Sequence, residues 1–257
     1  YNGVLEKEDD SKKIDYCIDS PLNLRENNIK ILLDRDIIGA IKRDHLSTLI
    51  KLLKESNRDN NNINISIDYN YEKNTLLHEA IFWNSTNCIL YLMKQCSKMI
   101  HKQNKDGNTV LHIACLKGNS FLVNELYNLG SNLSIRNNNK ETVFHCAIKS
   151  GNFELVNNLF NIINNFESLN CLDIEGRNPL HIAVICKNKN LDIITFLIKN
   201  GSDIVNVDED GYSIMSNLNK LKKNSLNLQI KTMLTKSFYD IYKKNNKLPK
   251  GSNCTNN

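Results

Sequence analysis

The sequence is poor in the features that mark several protein classes. Glycine and proline number 10 and 3 among 257 residues, which excludes a collagen-like chain and a Pro/Gly-rich disordered one. No run approaches the ~18 apolar residues of a membrane helix. Mean hydropathy is -0.42, so a helical integral membrane protein is excluded. None of the eight cysteines stands in a Cys-x-x-Cys pair, and no Cys/His spacing matches a zinc site. A Gly-x-Ser-x-Gly elbow, a phosphate-cradling glycine loop and the kinase motif set are all missing. No catalytic residue, cofactor or metal is therefore expected. The chain begins at Tyr1, not Met, so it reads as a fragment whose upstream segment is unseen.

What is plentiful is asparagine, 43 of 257 residues. Such bias suggests a low-complexity, disordered chain. The length nevertheless allows one or two domains with a large core. Charge is uneven as well. The net charge is +5, but Tyr212 to Asn257 carries nine lysines against Asp240, leaving the preceding 211 residues at −3. A basic end of this kind either meets an acidic partner or forms a solvated face. Cys115, Cys146 and Cys186 lie inside apolar helical runs, where thiols act as small hydrophobes. A reducing compartment is expected, cytoplasmic and also nuclear.

The chain repeats itself. Thr75-Leu76-Leu77-His78-Glu79-Ala80 returns as Thr109-Val110-Leu111-His112-Ile113-Ala114, as Thr142-Val143-Phe144-His145-Cys146-Ala147 and as Asn178-Pro179-Leu180-His181-Ile182-Ala183, at spacings of 34, 33 and 36. Turn signals follow at Lys117-Gly118-Asn119 and Ser150-Gly151-Asn152. Apolar residues then recur at helical spacing, as in Leu122, Val123 and Leu126. Thr75, Thr109, Thr142 and Asn178 are suited to cap helix N-termini.

This pattern resembles the ankyrin repeat, whose signature is Thr-Pro-Leu-His-x-Ala at a period of 33. Pro179 alone keeps the proline. The resemblance implies an all-α solenoid of helix-turn-helix repeats joined by hairpin-like loops, each repeat burying its apolar face on the next. Two degenerate copies flank the clear four, opening at Asp36 and Asp210. The expected organisation is a polar flexible segment 1–28 and an array 29–242. Its repeats are 29–70, 71–104, 105–137, 138–173, 174–208 and 209–242, followed by a disordered end 243–257. His78, His112, His145 and His181 are expected to bond locally and support the loops, not to hold a metal.

The resemblance also implies a non-catalytic module that binds another protein through loop tips and the inner face of the first helices. Carried over by register, those positions are Tyr71, Glu72, Asn74, Phe82 and Trp83, then Lys105, Asp106, Asn108, Leu116 and Lys117. They continue with Asn138, Asn139, Glu141, Lys149 and Ser150, then Glu175, Arg177, Ile185 and Cys186, and end at Glu209, Asp210 and Tyr212. Tyr71, Phe82 and Trp83 form either an aromatic anchor or a patch buried under the degenerate first repeat.

Gly176 to Val184, with Gly201 to Ile204 and Gly211 to Ser213, is similar to the late repeats of the IκB group. That likeness implies a cytoplasmic inhibitor of a Rel-type transcription factor. A third reading is an ankyrin segment of a larger enzyme or channel. Nucleic-acid binding rests on Lys220, Lys222, Lys223, Lys231, Lys236, Lys243 and Lys244 with few aromatic platforms, and is not expected. A monomer is expected.

Overall fold

The computed structural model describes residues 36–56, 73–95, 99–221 and 224–245. Residues 1–28, the Asn60–Asn62 loop, Tyr71, Glu72, Lys222, Lys223 and residues 246–257 lie outside this set.

The described chain is a run of paired helices. Residues 36–42 form α1. Then come α2 (Leu46–Ser56), α3 (Leu76–Trp83), α4 (Thr86–Gln95), α5 (Val110–Leu116), α6 (Ser120–Asn128), α7 (Val143–Ser150) and α8 (Phe153–Ile163). After a short 3-10 turn at Phe166–Leu169, α9 (Pro179–Ile185), α10 (Leu191–Lys199), α11 (Ile214–Lys220) and α12 (Ser225–Asn245) complete it. The odd-numbered helices make the inner layer, with α3, α5, α7, α9 and α11 packing in succession. The even-numbered helices make the outer layer, where α2 meets α4 and α10 meets both α8 and α12.

Each short inner helix is too short to persist alone and owes its stability to neighbours. Its interior is apolar on nearly every side: Leu76, Leu77, Ala80 and Ile81 in α3, and Val143, Phe144, Ala147 and Ile148 in α7, are buried. Its start is fixed by the repeated cap. The Thr75 hydroxyl accepts from the His78 amide at 3.3 Å, and Thr109 serves His112 at 3.4 Å. Asn178 and Ser213 do the same for His181 and Ser216.

Two boundaries differ from the expectation. Residues 243–245, assigned to the disordered end, belong to α12. The last repeat, expected to end at 242, is closed by α12, which runs on to Asn245. No glycine or proline stands between Ser225 and Asn245 to stop it.

Candidate protein-binding face

The loops between helix pairs are built around one repeated polar residue. Asn104 Oδ1 accepts the amides of Asp106 and Asn108, at 3.1 and 2.9 Å. Asn137 takes those of Asn139 and Glu141, and Asp173 those of Glu175 and Arg177. Successive loops are also stitched by backbone. Asn138 N–H donates to the Asp106 carbonyl at 3.0 Å, Ile174 to Asn139 at 2.8 Å and Glu209 to Glu175 at 2.9 Å. The loop tips therefore form a tied row beside the inner helices.

The repeat histidines brace that row. Backbone amides of Thr75, Thr109 and Thr142 donate to Nδ1 of His78, His112 and His145 at 3.2–3.3 Å. Nδ1 must then be unprotonated, so Nε2 carries the hydrogen. That Nε2–H donates to carbonyls of the next repeat: Asn108 at 3.0 Å, Glu141 at 3.3 Å and Cys171 at 3.1 Å. His181 differs. Its Nδ1 lies 2.9 Å from Asn178 Oδ1, an acceptor oriented by the Asn178 Nδ2 bond to the Asp203 carbonyl. Here Nδ1 is the donor, and the buried Nε2 faces the Tyr212 backbone without closing a hydrogen bond of ordinary length. Burial lowers the pKa of His112, His145 and His181 despite nearby carboxylates, to about 4 for His145. Burial likewise pushes the Cys146 thiol up to about 12, which leaves it a poor nucleophile.

Phe82 and Trp83 end the inner helix α3. They are 51% and 42% exposed and meet edge-to-face, with centroids 5.3 Å apart. The Trp83 indole N–H donates to Glu79 Oε2 at 3.2 Å, and Asn74 Nδ2 holds the other oxygen at 2.9 Å. Lys42 Nζ sits 4.4 Å from the Trp83 ring centre and Lys117 Nζ 4.5 Å from that of Phe82. Contact from α1 is thus a lysine over one ring face. The described part of the first repeat leaves Trp83 exposed. A cleft of about 610 Å³ opens beside Phe82, lined also by Asn74, Glu79, Asp106, Leu116 and Lys117 among others.

The remaining expected positions divide. Lys105, Asp106, Leu116, Lys117, Asn138, Asn139, Glu175, Glu209, Asp210 and Tyr212 are exposed. Others are taken up inside the stack. Glu141 is 3% exposed, paired with Lys149 and bonded by Asn137, so it is an internal residue and not a contact surface. Asn74 and Asn108 accept from Asn104 and Asn137 of the next loop. Arg177 is half-buried and salt-bridged to Asp173 at 2.7 Å and Glu175 at 2.5 Å. Ile185 and Cys186 are half-buried. Sequence reading missed Glu79, which orients Trp83. Its place one helical turn before Trp83 was the available signal.

These helix pairs and braced loops match a family model described as "Ankyrin repeats (3 copies)" over residues 37–137, 91–166 and 111–208. The chain belongs to the ankyrin-repeat family. No curated protein matches it. The ankyrin fold is common, with 543 matching chains among solved structures, so likeness of shape names no partner. One such chain comes from the structure "Bd0816 Predatory Endopeptidase from Bdellovibrio bacteriovorus in complex with immunity protein Bd3460". It shares 19% identity at a TM-score of 0.62, covering 78% of this chain and 97% of that one. Ankyrin stacks are in general protein-interaction modules. Among the described residues, no helix is long and apolar enough to cross a membrane.

Proposed function

We propose that this chain is a non-catalytic module that binds a partner protein on its inner-helix face and loop tips. The observation that carries the reading is the outward placement of Phe82 and Trp83. Large aromatics at the end of an inner helix, beside an open cleft, have the character of interface anchors. We also read the array as residues 29–242 in the six repeats set out above, acting as a monomer in the cytoplasm or nucleus. The solved neighbour comes from a two-protein complex, an assembly of the kind this reading expects. The Rel-type inhibitor reading draws nothing from the family match or that neighbour.

The test is affinity purification with the intact protein and a Trp83→Ala variant of unchanged circular dichroism and melting temperature. Loss of the captured chain from the variant supports the reading. An unchanged captured set sinks the anchor.

A further inference from the structure

Lysines recur where the inner helices end, at every one but α3, which closes with Phe82 and Trp83. Lys42 closes α1, Lys117 follows α5, Lys149 lies in the last turn of α7, Lys187 follows α9 and Lys220 closes α11. All but Lys149 are exposed. A cation at a helix C-terminus is favoured by the dipole, which accounts for each lysine separately.

The row arises from how the turns stack. Asn152 Nδ2 donates to the Gly118 carbonyl at 2.9 Å, and Asn188 Nδ2 donates to the Lys149 carbonyl at 3.2 Å. These bonds set the ends of α5, α7 and α9 side by side. Lys117, Lys149 and Lys187 are thereby carried along one edge of the face, and α1 and α11 extend the edge at either end.

Little negative charge answers this row from the same surface. Among the described residues of the inner helices α1, α3, α5, α7, α9 and α11, the acids are Asp36, exposed at the opposite end of α1 from Lys42, and Glu79, which is 8% exposed. Asp208 of the last loop also interacts with Lys220. Glu141 offsets Lys149 from within the stack. The rings of Trp83 and Phe82 lie under Lys42 and Lys117, but a π face leaves the lysine charge uncompensated. Exposed acids sit at the other edge, on the loop tips, as Asp106, Glu175, Glu209 and Asp210.

Packed helices lie about 8–10 Å apart. An extended peptide advances about 3.3 Å per residue, so three residues span one repeat. We propose that the lysine row receives an extended acidic segment of the partner protein, with an acidic side chain at every third residue. Apolar side chains between the acids would meet Phe82 and Leu116. The inference rests on the inner-face reading above and adds the partner's chemistry to it.

The probe is a fluorescein-labelled 18-residue peptide of glutamate, serine and leucine with glutamate at every third position. Its isomer gathers the same glutamates in one block, and a single-stranded oligonucleotide of equal charge is the third ligand. Anisotropy titrations on the full chain should show the periodic peptide binding about tenfold tighter than the block isomer. Lys117→Glu with Lys187→Glu, both at exposed sites, should abolish that preference, and a peptide with lysine at every third position should then bind instead. Equal affinity for the two isomers, indifference to charge reversal, or tighter binding of the oligonucleotide would each overturn the proposal. The two readings separate in the capture experiment. If Trp83→Ala loses the natural partner while the double charge reversal keeps it, the acidic segment is wrong and the inner-face site stands. If neither variant loses it, both fall.

Discussion

Asn137 Nδ2 donates to Asn108 Oδ1 at 3.0 Å, joining the loops of adjacent repeats through side chains. One step earlier, Asn104 Nδ2 reaches Asn74 Oδ1 at 2.9 Å. Asparagine suits this place because its oxygen accepts loop amides while its nitrogen donates onward. In later loops a carboxylate stands there and can only accept. Asp173 then recruits Arg177, and Asp208 recruits Asn217 at 2.8 Å.

Replacing Asn137 by aspartate tests that division of labour. The new carboxylate keeps the amide bonds but faces Asn108 Oδ1 and the buried Glu141 carboxylate. Lost donors and like charge should cost about 2 kcal/mol at neutral pH. Repulsion raises the carboxyl pKa, so the deficit relative to wild type should shrink as the pH falls. Urea midpoints of both proteins, at pH 7.5 and 5, check this. An equal deficit at the two values contradicts it.

Acid should loosen the stack through its histidines. Burial holds the His145 pKa at about 4 in the fold, while an unfolded histidine titrates near 6.5. Stability from the neutral ring is complete above about pH 6.5 and is lost as the pH falls towards 4. The shift corresponds to roughly 3 kcal/mol at the acid end of that window. His112 and His181 shift in the same direction. Denaturant midpoints between pH 7.5 and 4 should fall, and less steeply for His145→Gln.

The histidine tautomers should differ between repeats. Long-range proton–nitrogen NMR correlations at pH 8 should show His78, His112 and His145 with hydrogen on Nε2, and His181 with hydrogen on Nδ1. Four identical patterns would contradict the role given to Asn178.

Gly151 and Gly201 both have left-handed backbone, with φ of 76° and 89°. A Cβ on Gly151 would lie 2.6 Å from the Asn188 carbonyl, while one on Gly201 would meet nothing within 4 Å. Alanine at Gly201 should cost about 1 kcal/mol for the backbone alone. Alanine at Gly151 should cost at least about 1 kcal/mol more, since it forces apart the turns of α7 and α9. Equal losses in urea melts would remove the clash.

The fold was legible because its markers are local. Thr and His three residues apart close a cap within one turn, so His78, His112 and His145 mark helix starts without knowledge of the neighbours. The asparagine excess, which pointed to disorder, serves partly as ordered loop wiring at Asn104 and Asn137. The candidate face was less legible. Glu141 and Arg177 hold repeat positions that ordinarily face outwards, yet Lys149 and Asp173 draw them inwards. Asn108 is committed by Asn137, 29 positions away. Such pairings depend on the stacking of repeats, which no single repeat encodes. The length of α12 was missed because a repeat template supplied an end that the residues themselves do not.

The central claim is that the partner lies on the inner face at Phe82 and Trp83. Site-specific photocrosslinking addresses it directly, with p-benzoylphenylalanine placed in separate proteins at Phe82 and at Phe121. Phe121 is 63% exposed on the outer helix α6. The account predicts a crosslinked partner from position 82 and none from position 121. A partner captured from position 121 with nothing at 82 would contradict it.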